Sequence, residues 1–142
     1  MTMMSLRALV ARKLVLLISG IVAIGIAATI LFAPDVFYAA YGIELAGNTN
    51  LTNELKAPAG VLFVAGLLML AGVVHSQWMT VSLVAATAIY LPYGLSRLLS
   101  MAVDGMPDSA LVGAAIFEIA VGAVCLLALI PGRIGHIAHT TN

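Results

Sequence analysis

Residues 14–32 read LVLLISGIVAIGIAATILF, a run without a single charged side chain. The hydrocarbon core of a bilayer is about 30 Å thick, and a helix needs roughly 20 apolar residues to cross it. The run is long enough. It also exceeds the apolar core of a secretory leader, which is roughly 7–15 residues. Arg7, Arg12 and Lys13 precede it, as in a leader, but its length reads as a retained span. Pro34 and Asp35 close the run, because proline cannot donate the next helical hydrogen bond and restricts the residue before it. Ser19, Ala23 and Ala27 recur at steps of four. Such a seam of small residues lets membrane helices approach closely.

Three further apolar runs follow, at about 57–75, 79–101 and 109–130, the last two each holding one charged residue. The expected fold is all-α: a polytopic membrane four-helix bundle with short loops, one integral membrane domain over 1–142. Composition agrees. The chain of 142 residues is 63% hydrophobic and 8% charged, whereas soluble domains carry about 25% charged residues. The formal net charge is zero, so no basic field exists to attract nucleic acid. Cys125 is the single cysteine, which excludes an intrachain disulfide and a multi-cysteine metal site. His136 and His139 are three apart, but no carboxylate or further ligand lies near them in sequence, so no metal site is expected. The amino terminus lacks the glycine that myristoylation requires.

The connections carry their own signals. Val36 to Ile43 includes Phe37, Tyr38 and Tyr41, suited to a short interfacial helix in the headgroup layer. Gly47 to Asn53 is polar and turn-forming, with Thr52 or Asn53 as a cap. Asn50-Leu51-Thr52 matches a glycosylation sequon, a three-residue pattern best ascribed to chance. Pro58 suits a first helical position, or kinks the helix if it begins nearer Glu54. Gly60, Gly66 and Gly72 recur at sixes, which defines no single face and no dimerisation motif. His75-Ser76-Gln77-Trp78 is a very short hinge, so the second and third spans are antiparallel neighbours, with Trp78 as an interface anchor. Asp104-Gly105-Met106-Pro107-Asp108 is a tight turn.

Basic residues near span ends set orientation. Arg7, Arg12, Lys13 and Arg133 flank the termini; Lys56 and Arg97 lie toward the other side. This predicts that both termini lie on the cytoplasmic side of the membrane.

Arg97 and Glu118 fall inside the third and fourth spans. Charged residues at membrane depth face a bundle interior or a cavity, and have partners. Arg97 lies roughly 10 Å, and Glu118 roughly 15 Å, below the turn that joins their helices. The short turn brings the two within reach of one another. Tyr90, Tyr93, Arg97, Met101 and Asp104 step by three or four and share one helix face. Ala114, Glu118, Gly122 and Cys125 form a small-residue face around the carboxylate. With Glu54 and Lys56 opening the second span, a polar network is expected in the non-cytoplasmic half. It would contain Arg97, Glu118, Glu54, Asp104 and Lys56, with Tyr90 and Tyr93 beside it. Arg97 is expected to touch at least one of Glu54, Asp104 and Glu118.

These segments resemble an uncharacterised bacterial four-span family, domain of unknown function 4345. Asn53-Glu54-Leu55-Lys56-Ala57 is similar to its asparagine–glutamate–aliphatic–arginine–alanine segment, with lysine in place of arginine. Pro58-Ala59 replaces an aromatic–glycine pair. Arg97-Leu98-Leu99-Ser100, with Asp104-Gly105 and Pro107, resembles a second signature. Glu118 resembles its acidic residue in the fourth span, and Pro34 to Ile43 is also similar, above all Tyr41-Gly42-Ile43. The resemblance runs from about Leu14 to Ile130 and implies a DoxX-like four-span layout with an outer polar cluster. It implies no reaction.

Four functions compete. The expected one is a non-enzymatic bundle with a structural polar network, acting with a membrane-protein partner or as a homo-oligomer in the lipid bilayer. A second is binding or carriage of a small lipophilic ligand or quinone, which requires an open cleft of roughly 300 Å³ or more beside Arg97. A third is proton-coupled transport as an oligomer. Catalysis finds no support, because no nucleophile with base and orienter occurs in the spans. No cofactor is implied.

Overall fold

The computed structural model describes residues 3–130, with side chains from Leu6 onward. His136, His139 and Arg133 therefore lie outside the described residues. The order is α1 (Met3–Phe32), α2 (Pro34–Ala39), α3 (Thr49–Val74), a 3₁₀ turn (Ser76–Trp78), α4 (Met79–Val103) and α5 (Ser109–Leu129). Four of these helices, α1, α3, α4 and α5, are long and apolar enough to cross a membrane. The chain is an all-α, multi-pass membrane bundle.

Helix starts follow local chemistry. Asn48 caps α3, its side-chain oxygen accepting from the Leu51 amide at 3.1 Å. The helix thus begins at Thr49, well before the expected Ala57, and neither Thr52 nor Asn53 is the cap. The sequence pattern marked only the apolar part of a longer helix. Pro58 consequently lies inside α3, and Pro92 inside α4. Each proline leaves the carbonyl four residues earlier without its helical donor, and both helices continue through it. At the other turn, Asp108 caps α5 by accepting from the Ala110 amide at 2.8 Å. Gly105 there has φ of 102°, a left-handed conformation that glycine adopts without steric cost.

The helices pair as α1 with α3 and α4 with α5, joined through α3 and α4. Contact of α1 with α4 and α5 is sparser. Small residues set both close pairs. A Cβ added at Gly66 would lie 3.1 Å from the Gly20 carbonyl and 3.2 Å from the Ala23 Cβ. One added at Gly122 would lie 2.8 Å from the Leu91 amide. Ser19, Ala23 and Ala27 are all buried, as their spacing implies. Gly66 and Gly72 have distinct roles that the sequence pattern did not reveal. Six helical residues turn through about 600°, so the two glycines point different ways. Because α3 lies between α1 and α4, both directions meet a neighbour: Gly66 faces Ala23 and Ile24, and Gly72 faces Ser82 and Leu16.

The core collects Leu16, Met69, Met79, Leu83, Ala86, Val121 and Cys125, with Tyr90 at its edge. These residues occupy the half of the bundle nearest the chain termini. Polar groups there are paired. The Ser82 hydroxyl donates to the Leu68 carbonyl at 2.6 Å, and the Ser19 hydroxyl to the Val15 carbonyl at 2.7 Å. Arg12 Nη2 donates to the Ala128 carbonyl at 2.7 Å. That bond ties the start of α1 to the end of α5, so both lie at one end of the bundle.

Candidate functional site: an ion pair beside a cavity

Arg97 Nε donates to both oxygens of Glu118, at 2.9 and 3.2 Å. Among the described residues this is the one ion pair. The Arg97 side chain keeps 34% of its exposure and Glu118 13%, so the carboxylate is the more enclosed partner. Its placement follows from the α4–α5 contact. A Cβ at Gly94 would lie 3.0 Å from the Ile119 amide and 3.3 Å from the Glu118 Cβ. The absent side chain at Gly94 therefore lets α5 bring Glu118 beside the last two turns of α4.

The other expected members are placed elsewhere. Asp104 accepts from the Ser100 hydroxyl on its own helix at 2.8 Å. Glu54 is exposed and Lys56 half-buried, and neither joins an ion pair among the described residues. The helical register explains this. Leu55, Pro58, Ala59 and Leu62 line the inner face of α3, at the i, i+3, i+4, i+7 spacing of one stripe. Glu54 and Lys56 flank Leu55 and are rotated off that stripe by about 100° in either direction. The ionic interaction is a pair, where the sequence pattern pointed to a wider cluster.

Tyr90 and Tyr93 share a face but differ in use. Tyr90 is 4% exposed. Its hydroxyl donates to the Ser19 carbonyl at 2.6 Å, joining α4 to α1. Its ring meets Phe117 edge-on, with centroids 5.8 Å apart. Tyr93 lies closer to the turn, is 37% exposed, and its hydroxyl has no partner among the described residues.

Around the pair the bundle opens. A cavity of about 350 Å³ is bounded by α1 at Ile26 and Ile30, by α3 from Leu55 to Leu62, and by Tyr93 and Arg97 of α4. Ala114 and Glu118 of α5 complete that wall. The segment after α1 covers it with Phe37, Tyr38, Tyr41 and Ile43. Phe37 packs on Tyr38 and Tyr41 with centroids 5.2 and 5.4 Å apart. The sequence suggested only headgroup anchoring for these rings, and the short helix α2 does form there. Their role as cavity wall was missed. The signal was available: an aromatic cluster next to a proline stop, inside a segment already singled out by its resemblance. Burial raises the pKa of the Tyr38 hydroxyl, nearby Tyr93 adds to the shift, and Arg97 opposes it. The Tyr38 hydroxyl therefore keeps its proton at neutral pH.

The arrangement is suited to holding a molecule. Its walls are mostly apolar, with a few polar side chains among them, the usual composition of a small-molecule pocket. Among the described residues, no three His, Cys, Asp or Glu side chains gather as metal ligands.

A family model described as a domain of unknown function (DUF4345) matches residues 11–129. The match covers most of the chain, and the chain belongs to this family. No curated protein matches it, and no solved structure does.

Proposed function

We propose that this member of the DUF4345 family is a non-enzymatic accessory bundle that holds one small lipophilic molecule beside Arg97 and Glu118. We place it in the bacterial inner membrane with both termini in the cytoplasm. The observation that carries the binding reading is the cavity of about 350 Å³ at the ion pair. It exceeds the roughly 300 Å³ at which ligand pockets begin. The ion pair then has two roles. It clips α4 to α5, and it puts polar groups on the wall of a greasy pocket. The basic residues support the orientation: Arg7, Arg12 and Lys13 lie at the terminal end, against Lys56 and the deeper Arg97 toward the other.

The test is native mass spectrometry of the purified full chain, beside Ala114→Phe, which fills the cavity from α5. The expected result is a bound small molecule on the wild type, reduced about tenfold in occupancy by Ala114→Phe with the fold retained. A wild-type chain that carries nothing, or a variant with unchanged occupancy, overturns the reading.

A further inference from the structure

We propose that the cavity selects an uncharged lipophilic molecule whose head accepts hydrogen bonds, such as a ketone, aldehyde or ester carbonyl. This rests on the binding reading above and names its ligand class. Two observations carry it.

The first is charge balance. The guanidinium of Arg97 is already met by Glu118, at 2.9 Å. The pair is neutral as a unit. An anionic head would sit beside a carboxylate that has its cation, and a cationic head beside a guanidinium that has its anion. Either would bring an uncompensated charge into an apolar wall, which is costly. Glu54, Lys56 and Asp104 lie off the cavity wall, so no nearby counter-charge offsets it.

The second is the inventory of spare hydrogen-bonding groups. Arg97 commits Nε to Glu118, and its two terminal nitrogens have no partner among the described residues. A guanidinium only donates. Tyr38 and Tyr93 also line the cavity, and their hydroxyls have no partner among the described residues. Tyr90 is excluded, since its hydroxyl is spent on the Ser19 carbonyl. The free groups there therefore offer N–H and O–H donors. A head that only accepts satisfies them, and a pure hydrocarbon leaves them unmet. The remaining wall, including Ile26, Ile30 and Leu62, suits an aliphatic or ring body.

The experiment uses four probes of equal chain length on the full chain in nanodiscs at pH 9: 2-decanone, decanoate, decyltrimethylammonium and decane. Affinity is read from the concentration dependence of the thermal unfolding midpoint. 2-Decanone is expected to bind about tenfold more tightly than each of the others. Glu118→Gln leaves Arg97 unbalanced, so decanoate should then overtake 2-decanone. Tyr93→Phe removes one donor without touching the pair. It should weaken 2-decanone about threefold and leave decane unchanged. Equal affinity for decane and 2-decanone, or tightest binding of either ion to the wild type, overturns the assigned class while leaving a lipophilic pocket. Binding of no probe removes the pocket reading itself.

Discussion

Toward the termini, α1, α3, α4 and α5 enclose Leu16, Met69 and Cys125, each with no exposure. Toward the α4–α5 turn, the same helices part around a cavity of about 350 Å³. Both halves are built from apolar helix, so hydrophobicity does not distinguish them. Lipid tails are as apolar as leucine, and only close packing and hydrogen bonds favour helix over lipid as neighbour. The terminal half has both. Gly72 admits Ser82 and Leu16, and Arg12 clasps the Ala128 carbonyl. Tyr90 marks the border, sealing one side by its bond to Ser19 and facing the cavity on the other. Beyond it, α1 and α5 have no comparable bond among the described residues, and the aromatic segment after α1 lines the cavity. A membrane bundle is thus sealed by fit, residue by residue, and a missing fit leaves a site.

The sharpest way to break this contrast is to shorten one inward-facing leucine in each half. Leu16→Ala, in the sealed half, should cost about 3 kcal/mol of unfolding free energy in mixed micelles. Leu62→Ala, on the cavity wall, should cost about 1 kcal/mol, because part of its surface already lacks protein neighbours. Equal losses would mean that the two halves are packed alike. Next comes the ion pair. Glu118→Ala should cost about 2 kcal/mol, since it strands Arg97 near an apolar wall. A double-mutant cycle with Arg97→Ala should give a coupling of about 1 kcal/mol. Additive losses would remove the pair as the link between α4 and α5 in the open half.

Smaller effects test the border and the clasp. Tyr90→Phe should lose about 1 kcal/mol, and the drop should appear as faster local exchange where α1 meets α4. Arg12→Gln, at the end of α5, should cost about 0.5 kcal/mol, the scale of a cation at a helix carboxyl terminus. If Arg12→Gln matched Glu118→Ala in effect, the terminal half would owe its closure to the clasp and not to its core.

Much of this was legible in the chain. Four apolar runs and their turns place four spans. The tight turn after Val103 brings Arg97 and Glu118 together, because two helices joined by so few residues must run side by side. The step of four from Ser19 to Ala27 marks a packing seam. Other features carried no readable signal. Asn48 caps α3 from a stretch that resembles loop. Pro92 lies in α4 without ending it. Arg12 looks like an ordinary orientation signal, and only the close approach of α5 makes it a cap. Glu54 looks like a partner of Arg97, and Lys56 like a member of the same network, and a rotation of about 100° removes both.

Sequence alone determined the membrane, the span count, the antiparallel neighbours and the nearness of the two deep charges. All of these follow from length, hydropathy and short connections, which act locally along the chain. Only the tertiary structure decided that Tyr90 binds across to α1, that the ring cluster after α1 is a wall, and that one half stays open. Those depend on how helices distant in sequence fit together. Fit is set by the shapes of side chains that meet, and no single span encodes the shape of its neighbour.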